Sequence, residues 1–218
     1  MYQPPIGGTV YGTLLNHREA LAALGDQLNA VPYKAPPKAP ILYIKPRNTW
    51  AQSGDTVVVP SDAQELQMGA TLGLVIGRTA CKVTAANALE HVAGYLVVND
   101  ISVPHDSFYR PSMRFKCHDG SCPMGAYVSR DAVANPDALA VTVAIDGEVV
   151  QHTDTGGRVR SVEQLLVDVT EFMTLHPGDI LSIGVAAHAP LAHAGQRVTI
   201  TIAGVGQLEN VLLAEELV

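Results

Sequence analysis

Three segments of this 218-residue chain hold the side chains best suited to chemistry. Lys45-Pro46-Arg47-Asn48-Thr49 closes one predicted strand, and Asn99-Asp100 closes another, the apolar run Gly94-Tyr95-Leu96-Val97-Val98. The third segment runs over residues 108–125 and carries Tyr109, Arg110, Arg114, Lys116, Cys117 and His118. Lys45, Arg47, Arg110, Arg114 and Lys116 are a concentration of cations in a chain with only 14 Lys and Arg against 21 Asp and Glu. Guanidinium and ammonium groups are what holds a small polycarboxylate, with solvated surface charge as the plain alternative. Asp100 ends a run whose composition calls for burial, so its carboxylate must be ion-paired, hydrogen-bonded or bound to a cation; an Asn-Asp turn bonded to its own backbone is the competing reading.

His17, His91, His105 and His118 stand apart without an H-x-x-x-H or H-E-x-x-H arrangement, which makes each a surface or structural residue before it is a metal ligand. Cys81, Cys117 and Cys122 show neither a C-x-x-C nor a repeated ligand spacing and are expected as reduced thiols. There is no G-x-G-x-x-G, no phosphate-binding Gly-rich loop ending in Lys-Ser/Thr, and no G-x-S-x-G elbow, so nucleotide binding and serine hydrolysis lose their usual sequence support.

The elements that must position these residues are mostly short strands. Residues 9–15 read as a strand and 17–28 as a helix, with Leu21, Leu24 and Leu28 at helical spacing. Residues 31–40 contain Pro32, Pro36, Pro37 and Pro40, which exclude regular helix and sheet and predict an extended connector. Strands are expected over 41–45, 56–60, 71–77, 95–101, 140–145, 148–152, 180–183 and 197–203, with Asp146-Gly147 as a hairpin turn. Two helices are expected: one over 85–92 behind Thr84, and one from a capping box of Ser161 and Gln164 to about Thr174 with a Val162, Leu165, Leu166, Val169 core stripe. The predicted fold class is α+β, β-rich, with few helices, divided into an N-terminal strand-helix and Pro-rich connector (1–40) and a main domain (41–218).

A net charge of −7 opposes binding to a phosphate backbone, so no nucleic-acid partner is expected. No apolar run is long enough to span a bilayer and residues 1–8 lack the pattern of a signal peptide, so a cytoplasmic protein without a membrane partner is expected. Only 16 % of residues are charged, and part of so weakly charged a surface is expected to lie against another subunit.

The order of Asn16, Lys45-Pro46, an Ala-x-Leu-x-x-Val-Ile-Gly strand, Ala93-Gly94-Tyr95 leading to Asn99-Asp100, Lys116 to Gly125, and Leu175-x-Pro177-Gly178-Asp179-Ile180 resembles the fumarylacetoacetate hydrolase family over nearly the whole chain. The resemblance implies a mixed, rolled β-sheet of that family's C-terminal-domain type. Within the family, Tyr33-Lys34-Ala35-Pro36-Pro37-Lys38, Lys45 to Thr49 and Phe108-Tyr109-Arg110-Pro111 look most like the N-terminal half of the two-domain enzymes of homoprotocatechuate degradation. That likeness implies a lyase and isomerase, decarboxylating 5-oxopent-3-ene-1,2,5-tricarboxylate and isomerising 2-hydroxyhepta-2,4-diene-1,7-dioate through a stabilised enolate. It assigns catalysis to Lys116 and Asp100, and substrate binding to Lys45, Arg47, Tyr109 and Arg110.

The family holds Mg²⁺ or Mn²⁺ through a Glu-x-Glu pair on one strand, where residues i and i+2 share a face, and an Asp at the end of another. Here Gly69 and Thr71 stand at the Glu-x-Glu positions, and Asp100 is the only ligand position kept. No tightly bound cofactor is therefore expected, with Mg²⁺ or Mn²⁺ as the cofactor if the family site works, and glutamates placed at 69 and 71 would be expected to raise metal affinity. Ala20 and Ala23 fall where the family's lid His and Glu would be, and Gly184-Val185-Ala186 replaces its Gly-Thr-Pro. The expected partners are a small polycarboxylate substrate and either a second copy of the chain or a full-ligand paralogous subunit. Two alternatives accompany the enzyme reading: a non-catalytic or regulatory subunit with a degenerate metal pocket, and an acylpyruvate-type hydrolase.

Overall fold

The computed structural model describes residues 7–105 and 113–215. Among them the strands are β1 (Val10–Leu14), β2 (Ile41–Lys45), β3 (Trp50–Gln52), β4 (Thr56–Val59), β5 (Leu66–Gln67), β6 (Ala70–Ile76), β7 (Val92–Asn99) and β8 (Cys122–Met124). After these come β9 (Val128–Ser129), β10 (Ala140–Ile145), β11 (Glu148–Asp154), β12 (Ile180–Ser182), β13 (Leu191–Ala192), β14 (Arg197–Ile202) and β15 (Gly206–Ala214). The α-helices are α1 (Arg18–Ala23), α2 (Met113–Lys116) and α3 (Val162–Phe172).

The strands form a curled, mixed sheet in the order β2-β1-β12-β6-β7-β8-β3, with β9 on β7, and a second sheet in the order β11-β10-β14-β15-β4. β1 runs parallel to β12 and antiparallel to β2, so the N-terminal strand lies inside the first sheet. β6 and β7 are apolar on both faces because each face has its own core. Leu72, Leu74 and Ile76 with Tyr95 and Val97 enter the large core that the second sheet and α3 complete. Val75, Leu96 and Val98 enter a smaller cluster with Val10, Ile180, Cys122 and Met124. Alternation with a period of two places Gly69, Thr71 and Asp100 on this second face, and the site is built there.

Several sequence expectations are met. Asp146 and Gly147 both have positive φ, 53° and 88°, as their hairpin turn requires. Ser161 caps α3 by accepting from the Gln164 backbone N–H at 3.2 Å, and Val162, Leu165, Leu166 and Val169 are buried. The helix expected over 85–92 is not formed. Asn87 Oδ1 accepts from both the backbone N–H and the hydroxyl of Thr84, and only a 3-10 turn, Ala88–His91, precedes β7. Side-chain competition for backbone donors is the physical reason. The first helix stops at Ala23, and residues Gly25–Asn29 continue as 3-10 turn from a Gly25 at φ 47°.

Candidate functional site

Asp100 follows the last residue of β7, where its backbone N–H continues the ladder to the Gly69 carbonyl at 2.9 Å. Its side chain is 3 % exposed and lies between two ammonium groups. Lys45 Nζ, from the end of β2, is 3.1 Å from Oδ1, and Lys116 Nζ, from the end of α2, is 3.0 Å from Oδ2. The Tyr43 hydroxyl also donates to Oδ2. The Oδ1 contact is an ion pair without an aligned hydrogen bond. Burial alone would raise the Asp100 pKa, but Lys116, Lys45 and the two hydrogen bonds outweigh it and hold the carboxyl at about 2. Tyr43 is pushed well above the usual phenol range by burial and then by the neighbouring carboxylate, so it stays neutral.

Tyr43 had no place among the sequence-predicted site residues. A signal for it exists: it lies two residues before Lys45 on a strand, hence on the same face. Its ring also needs a special neighbour. Gly12 is its cross-strand partner on β1, and a Cβ at Gly12 would fall 2.0 Å from Tyr43 Cζ, so only glycine lets the ring lie across β1 toward Asp100.

The cluster forms the floor of a cavity of about 260 Å³. Tyr43, Asp100, Lys116 and Gly69 line that floor, and Ala20, Ala23 and Leu24 together with Val185 and Ala186 make apolar walls. The positions where the resemblance expects a lid His and Glu thus do face the cavity, as alanines. Gln67, Ser102, His105 and His188 add polar groups to its lining. Across α1 and the loop after Gly184, Glu19 Oε1 meets His188 Nε2 at 3.2 Å in an exposed pair.

The remaining candidates are placed differently. Lys45, expected to bind substrate, is 2 % exposed and lies behind Asp100; its ammonium donates to Ile101 O at 3.0 Å, Lys116 O at 2.5 Å and Ser121 Oγ at 3.3 Å, which leaves no donor for a ligand. Arg47, the other expected substrate contact on this segment, is exposed with its guanidinium 5.8 Å from the Trp50 ring centroid, away from the cavity. Arg114 forms a surface pair with Asp62 at 2.9 Å. Tyr109 and Arg110 lie outside the described residues. Asn16 is a structural stitch: its amide donates to Ile183 O at 2.9 Å and accepts from Arg160 N at 2.9 Å.

The donor set does not fit a hard divalent cation. Among the described residues no three His, Cys, Asp or Glu side chains converge. Thr71 Oγ1 is engaged with the Gly184 carbonyl at 2.9 Å and lies 3.1 Å from Ser182 Oγ. At Gly69 a Cβ would sit 2.2 Å from the Asp100 carbonyl oxygen and 3.0 Å from Val185 Cγ2. The expectation that glutamates at 69 and 71 would raise metal affinity meets an obstacle at 69, where the backbone must shift before a side chain fits.

Comparison with known proteins bears on what such a site belongs to. A 4-hydroxyphenylacetate degradation bifunctional isomerase/decarboxylase of Escherichia coli is 40 % identical over 208 residues, 95 % of this chain and 48 % of the relative. The chain spans about half the length of the curated bifunctional relatives it matches. Among solved structures, a 2-hydroxyhepta-2,4-diene-1,7-dioate isomerase from Mycobacterium marinum superposes with a TM-score of 0.77 at 25 % identity, covering 99 % of this chain and 78 % of that one. A fumarylpyruvate hydrolase from Pseudomonas aeruginosa, solved in complex with Mn²⁺ and pyruvate, shares the fold with a TM-score of 0.83 at 24 % identity over 99 % of this chain and 92 % of its own. The fumarylacetoacetate hydrolase C-terminal family model matches residues 9–213, from β1 through β15, and with it this chain belongs to the fumarylacetoacetate hydrolase family.

Proposed function

We propose that the chain is a decarboxylase/isomerase-type subunit of cytoplasmic 4-hydroxyphenylacetate and homoprotocatechuate catabolism, acting on 5-oxopent-3-ene-1,2,5-tricarboxylate and 2-hydroxyhepta-2,4-diene-1,7-dioate. The observation that carries the chemistry is the buried Lys116–Asp100 pair at the floor of an apolar-walled cavity, in a chain 40 % identical over 95 % of its length to an isomerase/decarboxylase. In the decarboxylation the bond to the departing CO₂ breaks, its electron pair shifts along the neighbouring C=C onto the carbonyl oxygen, and the oxygen of the resulting dienolate takes up a proton. In the isomerisation the dienol hydroxyl gives up its proton and the far carbon of the diene takes one up, leaving the ketone. Both pass through an enolate, whose oxygen needs a fixed positive charge in a water-poor site.

Lys116 supplies that charge, and Asp100, Lys45 and Tyr43 fix its place. The apolar walls exclude water and so strengthen the interaction. Turnover of the tricarboxylate by the purified chain, followed by release of CO₂, is the test. The expected result is activity that Lys116→Ala lowers by about 100-fold or more, the usual scale for removing an oxyanion-stabilising donor. Absence of turnover under every condition, including addition of a full-ligand paralogue, ends the enzyme reading.

One observation favours a second reading. The close approach of Asp100 to Gly69 and the walls of Ala20, Ala23, Val185 and Ala186 lack the metal-ligand and lid groups that the family resemblance leads one to expect. On that reading the chain is a non-catalytic partner that stabilises an active paralogue, and the paralogue's activity rises when this chain is added although this chain alone is inert. The acylpyruvate-hydrolase reading needs a divalent ion that the donor set does not suit.

A further inference from the structure

Asp100 is committed before any ligand arrives: Lys45 is ion-paired with one oxygen, and the other takes Lys116 and the Tyr43 hydroxyl. A divalent ion at this carboxylate would lie beside two ammonium groups. Counting Lys45, Lys116 and Asp100, the buried cluster carries one excess positive charge as it stands and would carry three with such an ion added. So concentrated a charge in a desolvated site is strongly unfavourable, whereas one excess charge calls for a single anionic oxygen.

The two lysines differ in what they have left to give. Lys45 is filled by two carbonyls, a serine hydroxyl and the carboxylate. Lys116 is 6 % exposed, lines the cavity and directs one N–H to Asp100; its ammonium sits 4.7 Å from the Tyr43 ring centroid. Among the described residues its other two N–H groups have no hydrogen-bond acceptor. An ammonium held by a carboxylate on one side and an aromatic face on another, with donors open to an apolar cavity, is a preorganised anion receptor.

We propose that Lys116 forms a metal-independent anion site, in which its two open N–H groups receive one carboxylate or enolate oxygen of the ligand and Asp100 acts as counter-ion instead of metal ligand. The proposal rests on the cavity being the ligand site, as the functional reading has it, and names what holds the ligand there. Tyr43, seated on Gly12, keeps the ammonium aimed: its hydroxyl closes the second Asp100 oxygen and its ring bears the charge. A small carboxylate with a short apolar tail, the tail lying against Ala20, Ala23 and Leu24, is the simplest ligand of this class.

Calorimetric titration of the full chain with 2-oxopentanoate decides it, run in chelator and again with Mn²⁺, with Mn²⁺ binding read independently by water-proton relaxation. Binding is expected in chelator, changed by less than about twofold when Mn²⁺ is present, without bound Mn²⁺ in the relaxation signal, and at least about tenfold weaker in Lys116→Met, with partial recovery in Lys116→Arg. Binding that appears only with Mn²⁺, no binding in either condition, or native-like affinity in a folded Lys116→Met overturns the proposal. Should Lys116→Met fail to fold, the two arms on the native chain decide alone. A chain that binds the anion yet turns nothing over refutes the functional reading and leaves this one standing; a chain that needs Mn²⁺ to turn over does the reverse.

Discussion

Asp100 ties the chemistry of the site to the stability of the fold. Its carboxyl is held at about 2 in the folded chain against an ordinary 3.8, so the unfolded chain binds its proton more readily. A depressed carboxylate stabilises the fold above the ordinary value, and that contribution is lost as pH falls from about 4 to about 2. Acid unfolding of the native chain is therefore expected to steepen across that window. Asp100→Asn should remove the step and, by leaving two buried ammonium groups without their counter-ion, cost roughly 3–5 kcal/mol at neutral pH. An unchanged acid limb in Asp100→Asn would show that other carboxylates govern it. At this scale the sequence was partly legible. Asp100 stands out in the sequence because a carboxylate closing an apolar run needs a partner, and Lys116 through the family resemblance. Lys45 reads in sequence as a substrate contact because charge says nothing about which side of a carboxylate a lysine reaches from, and Tyr43 carries no mark of its own because its role depends on the vacancy at Gly12 across the strand pair.

Among the elements, β6 and β7 do the positioning, and their junction at Gly69 and Asp100 is the tightest part of it. Their apolar character on both faces was readable, as was α3 from its Ser161 cap and its stripe. What pattern could not supply was the long β15, whose Asn210 interrupts the apolar alternation between Leu208 and Leu212; Asn210 is buried because its amide donates to Gln52 O and Asp55 O, both at 2.8 Å. The close approach at Gly69 makes a sharp prediction. Gly69→Ala forces the new methyl against the Asp100 carbonyl, and overpacking of this kind costs roughly 1–3 kcal/mol. Chemical denaturation measures it, and a neutral substitution would show that the backbone there yields. The same variant is expected to weaken ligand binding, since a shift of Asp100 moves Lys116 with it.

At the scale of the molecule, the two sheets enclose the large core and leave some apolar side chains outside. Val58 on the edge strand β4 and its cross-strand partner Leu213 on β15 are 43 % and 49 % exposed. With 16 % charged residues, this surface suits burial against another subunit, either a second copy or a paralogue. Sedimentation of the purified chain at micromolar concentration is expected to give a mass above that of one chain, and a strictly monomeric result for this chain alone and mixed with its paralogue would remove the assembly reading. No helix of the described residues is long and apolar enough to cross a membrane. The family was legible from the order of its weak motifs because each marks a turn or ladder that the fold needs, such as Asp179, whose carboxylate accepts from Thr9 N at 2.6 Å and His176 N at 2.7 Å.

Position 69 also sets what directed evolution can reach from this sequence. Every amino acid except glycine begins with the same carbon, so all nineteen replacements collide with one carbonyl before their chemistry matters. A library randomised at that codon alone therefore starts from one shared steric cost. A carboxylate there requires the backbone to shift, so a search for such variants gains from changes that loosen the 100–102 and 184–186 segments before the codon itself is diversified.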